Sequence, residues 1–336
     1  MSETAETVIV TGGTGYIGQH IVAELLKDGY KVVAIVRSAQ ASLNLIKLFN
    51  HPYLSTQVVE QLDKPKSIDF VLKQHKEATA FIASAAVVKF DAQDQEEEVL
   101  KPSLAIIENT LKSIHHYGEQ IKRVVLTSST AAIIGPDKAF SATAEYSEND
   151  WSPLTYEAGK ANGTMAYFTS KKLNEEYAWK YIKEKKPHFD LVSVNPALIL
   201  GPVTFESEVS LEKFPSTTGM IGGLLHLQKD SYVTELQSGA IDVRDVAKIH
   251  VSVIKNPKAS NQRLLLEAYK TTNPNMINII KNNFPEYKDK LPDVAPDSES
   301  DFKLPSDIKT KEILGIKHYE YTLEQSVVDL VKQILK

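Results

Sequence analysis

A tyrosine followed four residues later by a lysine can donate a proton, provided both lie on a helix. Tyr167 and Lys171 have that spacing, and residues four apart share one helix face. A free phenol has a pKa of about 10, too high for good proton transfer near neutrality. An adjacent ammonium stabilises the phenolate and lowers that value. Tyr167 is therefore the candidate acid and Lys171 its tuner, whereas Lys172 turns away from that face. Tyr156 and Lys160 repeat the spacing, but Pro153, Gly159 and Gly163 surround them. No Gly or Pro interrupts the run from Tyr167 to Lys186. A third group, Ser129, stands in the hydroxyl cluster Ser128-Ser129-Thr130 after an apolar run. It could hold a carbonyl group facing the phenol.

A second chemistry-bearing stretch opens the chain: Thr11-Gly12-Gly13-Thr14-Gly15-Tyr16-Ile17-Gly18. The apolar run before it reads as a buried strand. Ile17, Ile21, Val22, Leu25 and Leu26 after it follow a helical period. Between strand and helix, Gly12 permits a sharp turn and Gly15 leaves no side chain between backbone and a pyrophosphate. Gly18 lets the helix pack closely, and phosphates would sit on free amides at its N-terminus. Dinucleotide contacts are expected from Gly12, Thr14, Gly15, Tyr16, Ile17 and Gly18. Small residues Ser84 and Ala85 suit its close passage, Pro196 could line the nicotinamide pocket, and Lys171 could hydrogen-bond the nicotinamide ribose. The next strand, 31–36, ends at Arg37. An acidic residue there favours NAD by holding the ribose hydroxyls, whereas a guanidinium can pair with a 2′-phosphate. The cofactor expected is NADP(H). The adenine contact is left open between Gln61 and Asp63.

The elements that must position these groups alternate. Strands are expected at 7–10, 31–36, 55–60, 78–83, 123–127 and 189–200. Helices are expected at 42–49, at 68–76 with Ser67 as cap, over 94–117 with Pro102 tolerated near its start, and from Asn162 or Thr164 onward. This order indicates an α/β, doubly wound parallel sheet, with ligands beyond the carboxyl ends of its strands. The expected division is a Rossmann domain at 1–202, rejoined by about 240–256. Residues 203–239 and 257–336 would form a smaller C-terminal α/β lobe over the site. That lobe would include a short strand at 263–267 and helices at 275–283, 309–315 and 323–335. Stretches 136–153 and 288–305 read as loops. Asp242 or Asp245 would cap the helix carrying His250.

At 336 residues the chain exceeds a usual single core. Its net charge of -5 argues against a general binder of nucleic acid or anionic membranes. The absence of cysteine excludes disulfides, thiolate metal sites and a Cys nucleophile. Adjacent His115 and His116 point apart with no carboxylate pattern near them, so no metal site is expected. The acidic N-terminus lacks a signal-peptide core and no segment has transmembrane length, which makes the cytoplasm the expected compartment.

Taken together, T-G-G-T-G-Y-I-G at 11–18, V-V-L-T-S-S at 124–129, Y-F-T-S-K at 167–171, N-P-A-L-I-L-G-P at 195–202 and I-D-V-R-D-V-A at 241–247 resemble an extended short-chain dehydrogenase/reductase. Within that superfamily the chain is most similar to fungal NADPH-dependent methylglyoxal and isovaleraldehyde reductases, relatives of dihydroflavonol reductase. The resemblance implies reduction of aldehydes and ketones to alcohols. It implies Ser129, Tyr167 and Lys171 as the catalytic set and Arg37 at the 2′-phosphate. It places Ile134, Thr164 and Leu198 at the substrate pocket. Three positions depart from those reductases. Ala41 stands where a second cation would meet the phosphate, and aliphatic Ile134 and Leu198 replace pocket aromatics, which implies a wider pocket. The partner expected is a small carbonyl compound, with a homodimer left open and neither nucleic acid nor membrane. Two other readings share the scaffold: an NAD-dependent nucleotide-sugar epimerase or dehydratase, and a non-catalytic dinucleotide sensor. Arg37 and the scarcity of arginine after residue 200 count against the first. The intact Ser-Tyr-Lys set counts against the second.

Overall fold

The computed structural model describes residues 5–139, 145–295 and 307–336. Parts of the two loops expected at 136–153 and 288–305 lie outside the described residues. Strand and helix alternate through the first half: β1 (Thr7–Thr11), α1 (Tyr16–Lys27), β2 (Lys31–Val36), α2 (Ala39–Phe49), β3 (Leu54–Val58), α3 (Asp69–Gln74), β4 (Ala78–Ala83), α4 (Lys101–Tyr117) and β5 (Arg123–Thr127). After the short α5 (Pro136–Ala139) come α6 (Gly163–Lys185), β6 (Asp190–Pro196), β7 (Leu198–Leu200), α7 (Thr218–Leu224), β8 (Gln237–Asp242) and α8 (Val243–Lys255). The chain ends in β9 (Gln262–Leu266), β10 (Tyr269–Thr272), α9 (Asn273–Asn283), α10 (Ile308–Leu314) and α11 (Leu323–Ile334).

Seven strands form one sheet in the order β3-β2-β1-β4-β5-β6-β9, and every pairing in it is parallel. All its carboxyl ends therefore share one edge. The order reverses between β1 and β4, which opens the crevice where doubly wound sheets take their ligands. Strands buried on both faces must be apolar throughout, and Val8, Ile9, Val10, Val32, Phe81, Ile82, Val124 and Val125 are nearly or fully inaccessible. Arg123 staples this sheet to the helix layer. Its guanidinium pairs with Asp190 at 2.7 Å and donates to the Val253 and Asn256 carbonyls at the end of α8.

The smaller sheet, β10-β8-β7, forms a second core with α7, α9 and α11. Its boundaries differ from those expected. The apolar run 189–200 divides at Ala197, whose amide bonds the Leu266 carbonyl. Before that point the strand lies in the large sheet, and after it β7 pairs with β8. β8 belongs to the small sheet, and only α8 returns to pack along α1. Conversely, β9 is the last strand of the large sheet rather than part of the lobe. Leu264, Leu265 and Leu266 are fully buried, as two-sided burial requires. α10 also packs on this domain, through Ile313 and Leu314.

Local signals explain other differences. Ser38 caps α2 by accepting from the Ala41 amide, so that helix begins earlier than expected. Ser67 does not cap α3: its hydroxyl donates to the Leu62 carbonyl. The helix entered at Asp94 takes a wide π turn, Glu96–Leu100, before Pro102. A widened turn accommodates the clash and missing donor that proline brings. Asp242 is the cap of α8, while Asp245 accepts from the Glu320 and Tyr321 amides.

Candidate active site

The site lies along the carboxyl edge of the large sheet. At its N-terminal end, Gly12 turns the chain with φ +77°, a conformation that favours glycine. A Cβ there would also stand 2.8 Å from the Ala85 amide nitrogen. At Gly18 a Cβ would come within 2.7 Å of the Gly12 carbonyl carbon. Gly18 thus closes the helix onto the glycine turn itself. Gly15 is different: its nearest neighbour to an added Cβ is the Gly12 oxygen at 3.4 Å, and the residue is exposed. Helix α1 starts at Gly15 with no side-chain cap and no acidic residue in its first turn. Its first amides and positive dipole end are left for an anion. Thr14 is exposed beside them. The Tyr16 phenol donates to the Gly201 carbonyl at 2.8 Å, joining α1 to the lobe. What Tyr16 can offer a phosphate is its main-chain amide. The Ala85 amide donates to Thr11 Oγ1 at 3.2 Å, which holds the Ser84-Ala85 segment against the turn. Arg37 stands exposed beyond β2 and forms no ion pair among the described residues. These features fit a dinucleotide diphosphate with a 2′-phosphate beyond it. Of the two adenine candidates, Gln61 is exposed and Asp63 pairs with Lys64 at 3.2 Å.

At the catalytic end, Asn162 starts α6 by accepting from the Met165 amide at 3.0 Å. Thr164 is exposed on the first turn. Tyr167 is partly buried, and its ring lies 5.6 Å from that of Phe90, tilted by 44°. The segment carrying Phe90 reaches α6 because Gly163 has no side chain; a Cβ there would lie 2.6 Å from the Phe90 carbonyl carbon. Phe90 was not anticipated, since nothing local marks a lone aromatic in a loop. Ser129 follows β5, its hydroxyl accepting from the Ala131 amide at 3.1 Å, and it lies close enough to the Tyr167 phenol to lower its pKa. Lys171 is buried on the same face, with Nζ 6.0 Å from the Tyr167 ring centre. Ser129, Tyr167 and Lys171 are thus brought together, and Pro196 lies beside them at the end of β6.

One electrostatic expectation is corrected. The Tyr167 phenol is not drawn down by Lys171. Burial pushes its pKa up, and the opposing influence is the nearby Ser129 hydroxyl. The physical reason is where the ammonium goes. Lys171 Nζ donates to the Thr127 carbonyl at 3.3 Å, not to the phenol. Burial lowers the Lys171 pKa to about 8, against the attraction of Glu175. Behind Thr127, His250 is fully buried and bonds Thr127 Oγ1 at 2.9 Å; burial takes its pKa to about 4, so it is neutral.

The other expected positions divide. Ile134 is buried in a small cluster with Ile133 and Leu265, and Leu198 packs partly buried against the lobe core. The alternative pair is a surface strut: Tyr156 donates to Glu96 at 3.1 Å, and Lys160 pairs with Glu96 and Glu157.

A parallel sheet with a glycine-rich first turn and a Ser, Tyr and Lys assembled at its carboxyl edge defines the extended short-chain dehydrogenase/reductase class. The chain belongs to the NAD dependent epimerase/dehydratase family, whose model matches residues 8–267. It is 33% identical over 339 residues to an NADPH-dependent methylglyoxal reductase of Saccharomyces cerevisiae, covering 98% of each chain. The crystal structure of Gre2 in complex with NADPH from Candida albicans superposes with a TM-score of 0.92, at 37% identity and 98% coverage of both chains. A reductase whose structure guided engineering for asymmetric catalysis gives a TM-score of 0.94, at 39% identity, covering 99% of this chain and 100% of the other.

Proposed function

We propose that this chain reduces aldehydes and ketones to alcohols with NADPH. The observation that carries this reading is the meeting of Ser129, Tyr167 and Lys171 on the carboxyl edge of a dinucleotide-type sheet. The reductase relatives at over 30% identity across nearly the whole chain support it. Bound NADPH supplies the hydride. The amides at the start of α1 and the guanidinium of Arg37 would hold its phosphates.

The protein's own contribution is orientation and a proton. Ser129 donates a hydrogen bond to the carbonyl oxygen and aligns it with the phenol. Tyr167 gives its proton to that oxygen as negative charge develops there. Burial keeps the phenol protonated at neutral pH, so the acid is loaded before the reaction. Lys171, with its pKa at about 8, is charged at that pH and would hydrogen-bond the nicotinamide ribose, which orients the cofactor against the carbonyl. Phe90 beside Tyr167 supplies an apolar wall for the substrate.

The test follows NADPH absorbance with a panel of aldehydes, diketones and bulky aryl ketones. Oxidation by several of them is expected. Turnover of a sugar nucleotide, with none of the panel reduced, would overturn the reading in favour of an epimerase. Reduction of the bulky ketones as well as the small aldehydes would support the wider pocket expected from Ile134 and Leu198.

A further inference from the structure

One turn along α6 from Lys171, Glu175 is fully buried, and its two oxygens accept five hydrogen bonds. Oε1 accepts from Ser193 Oγ at 2.8 Å, Trp179 Nε1 at 3.1 Å and Arg263 Nε at 2.6 Å. Oε2 accepts from Ser128 Oγ and Asn195 Nδ2, both at 2.6 Å. A buried carboxylate is tolerated only when its charge is paired and its lone pairs are satisfied. Here a guanidinium and four further donors do both, so Glu175 stands as an anion in the core.

Two of those donors lead to the reacting groups. Ser128 precedes Ser129 in the chain. Asn195 also donates to the Ser129 carbonyl at 3.2 Å. The carboxylate therefore clamps the strand end that presents the Ser129 hydroxyl. It also lies one turn from Lys171 on the same helix, and its charge opposes the burial that would discharge the ammonium. The remaining titratable groups around Lys171 are Tyr167 on α6, neutral His250 on α8 behind Thr127, and Arg263 on β9 beyond Glu175. Glu175 is the only anion among them.

We infer that Glu175 is a positioning residue for carbonyl reduction: it fixes the Ser129 segment through Ser128 and Asn195 and sets a carboxylate one helical turn from Lys171. The inference rests on the reading of Ser129, Tyr167 and Lys171 as the reacting set. Two measurements on the full chain keep the two apart. The first is the titration of Lys171 followed by NMR on 13C-lysine-labelled protein, assigned with Lys171→Arg, which needs no turnover. The second is the pH profile of kcat with a reducible carbonyl. In Glu175→Gln the Lys171 midpoint and the alkaline limb of kcat are expected to move down together by about one pH unit. Asn195→Ala, which loosens the clamp and leaves the charge, is expected to lower kcat about tenfold with the limb unmoved. A folded Glu175→Gln protein whose Lys171 midpoint matches wild type overturns the inference. If circular dichroism shows that Glu175→Gln does not fold, Glu175→Asp replaces it. That variant keeps the charge and shortens the reach, so a lower kcat with the limb in place supports the inference, and a limb that moves down overturns it. A wild-type chain that reduces no carbonyl would sink the reductase reading alone, and the lysine titration would still decide the role of Glu175.

Discussion

The two ends of the candidate site are built in opposite ways. At the glycine turn, groups are left free: the first turn of α1 has no side-chain cap, Gly15 is open and Arg37 is exposed. At the catalytic end, groups are tied down: Ser129 to the Ala131 amide, Lys171 to the Thr127 carbonyl, Glu175 to five donors. The first end works through what it leaves unsatisfied, since a phosphate must find bare amides and a bare cation. The second works through what it fixes, since proton transfer depends on geometry within a fraction of an ångström. Substitutions should therefore act on binding at one end and on turnover at the other.

The largest expected effect tests the catalytic end. Tyr167→Phe removes the proton donor and leaves the packing against Phe90. We expect kcat to fall by about a thousandfold, within the range for loss of a general acid. NADPH affinity, read by fluorescence titration, should stay close to wild type. Equal losses in both quantities would break the distinction between the two ends.

A pH effect follows from the same tight packing. The His250 pKa is about 4 in the fold, against 6.5 for a free side chain. Between those values the unfolded chain binds a proton that the folded chain does not, so stability falls as pH drops from 6.5 to 4 and is level above 6.5 for this group. The full contribution is about 3 kcal/mol. Urea unfolding across that window should show the loss. His250→Gln, which cannot protonate, should reduce the slope.

The free end answers to a different pair of variants. Gly18→Ala places a methyl against the Gly12 carbonyl. It should cost about 2 kcal/mol in stability, as overpacking does. Gly15→Ala meets only ordinary contact. It should leave the melting temperature nearly unchanged and weaken NADPH about tenfold, the equivalent of one lost hydrogen bond. Thermal melts with and without NADPH separate the two outcomes.

This contrast also explains what the sequence could reveal. The free end was legible because bare backbone is written as glycine and spaced by the local turn. The parallel sheet was legible for a similar reason, since its buried strands are short apolar runs. Tyr167 and Lys171 could be paired because a single helix sets their distance. Glu175 could not be found that way: its partner Arg263 is 88 residues distant, and no local period links them. Phe90 depends on an equally remote approach, through Gly163. The sheet assignments failed at β8 and β9 for the same reason, because strand order is settled by pairing and not by composition. The direction of the Tyr167 shift was missed because burial is a property of the assembled core.

The smallest effect expected is at Arg37, where the side chain is exposed and water screens its charge. Arg37→Asp reverses the sign at the end of β2, beside the start of α2. A carboxylate there repels a 2′-phosphate and can instead accept hydrogen bonds from ribose hydroxyls. The ratio of kcat/KM for NADPH over NADH should fall by about fivefold, most of it in KM. Ala41, near the start of α2, is neutral and adds no second charge there. Raising salt should weaken NADPH binding in wild type and have less effect on NADH. If the variant keeps its NADPH preference, the free end would not be reading the 2′-phosphate through Arg37. The opposition between an open, charge-reading end and a closed, geometry-holding end would then apply to the diphosphate alone.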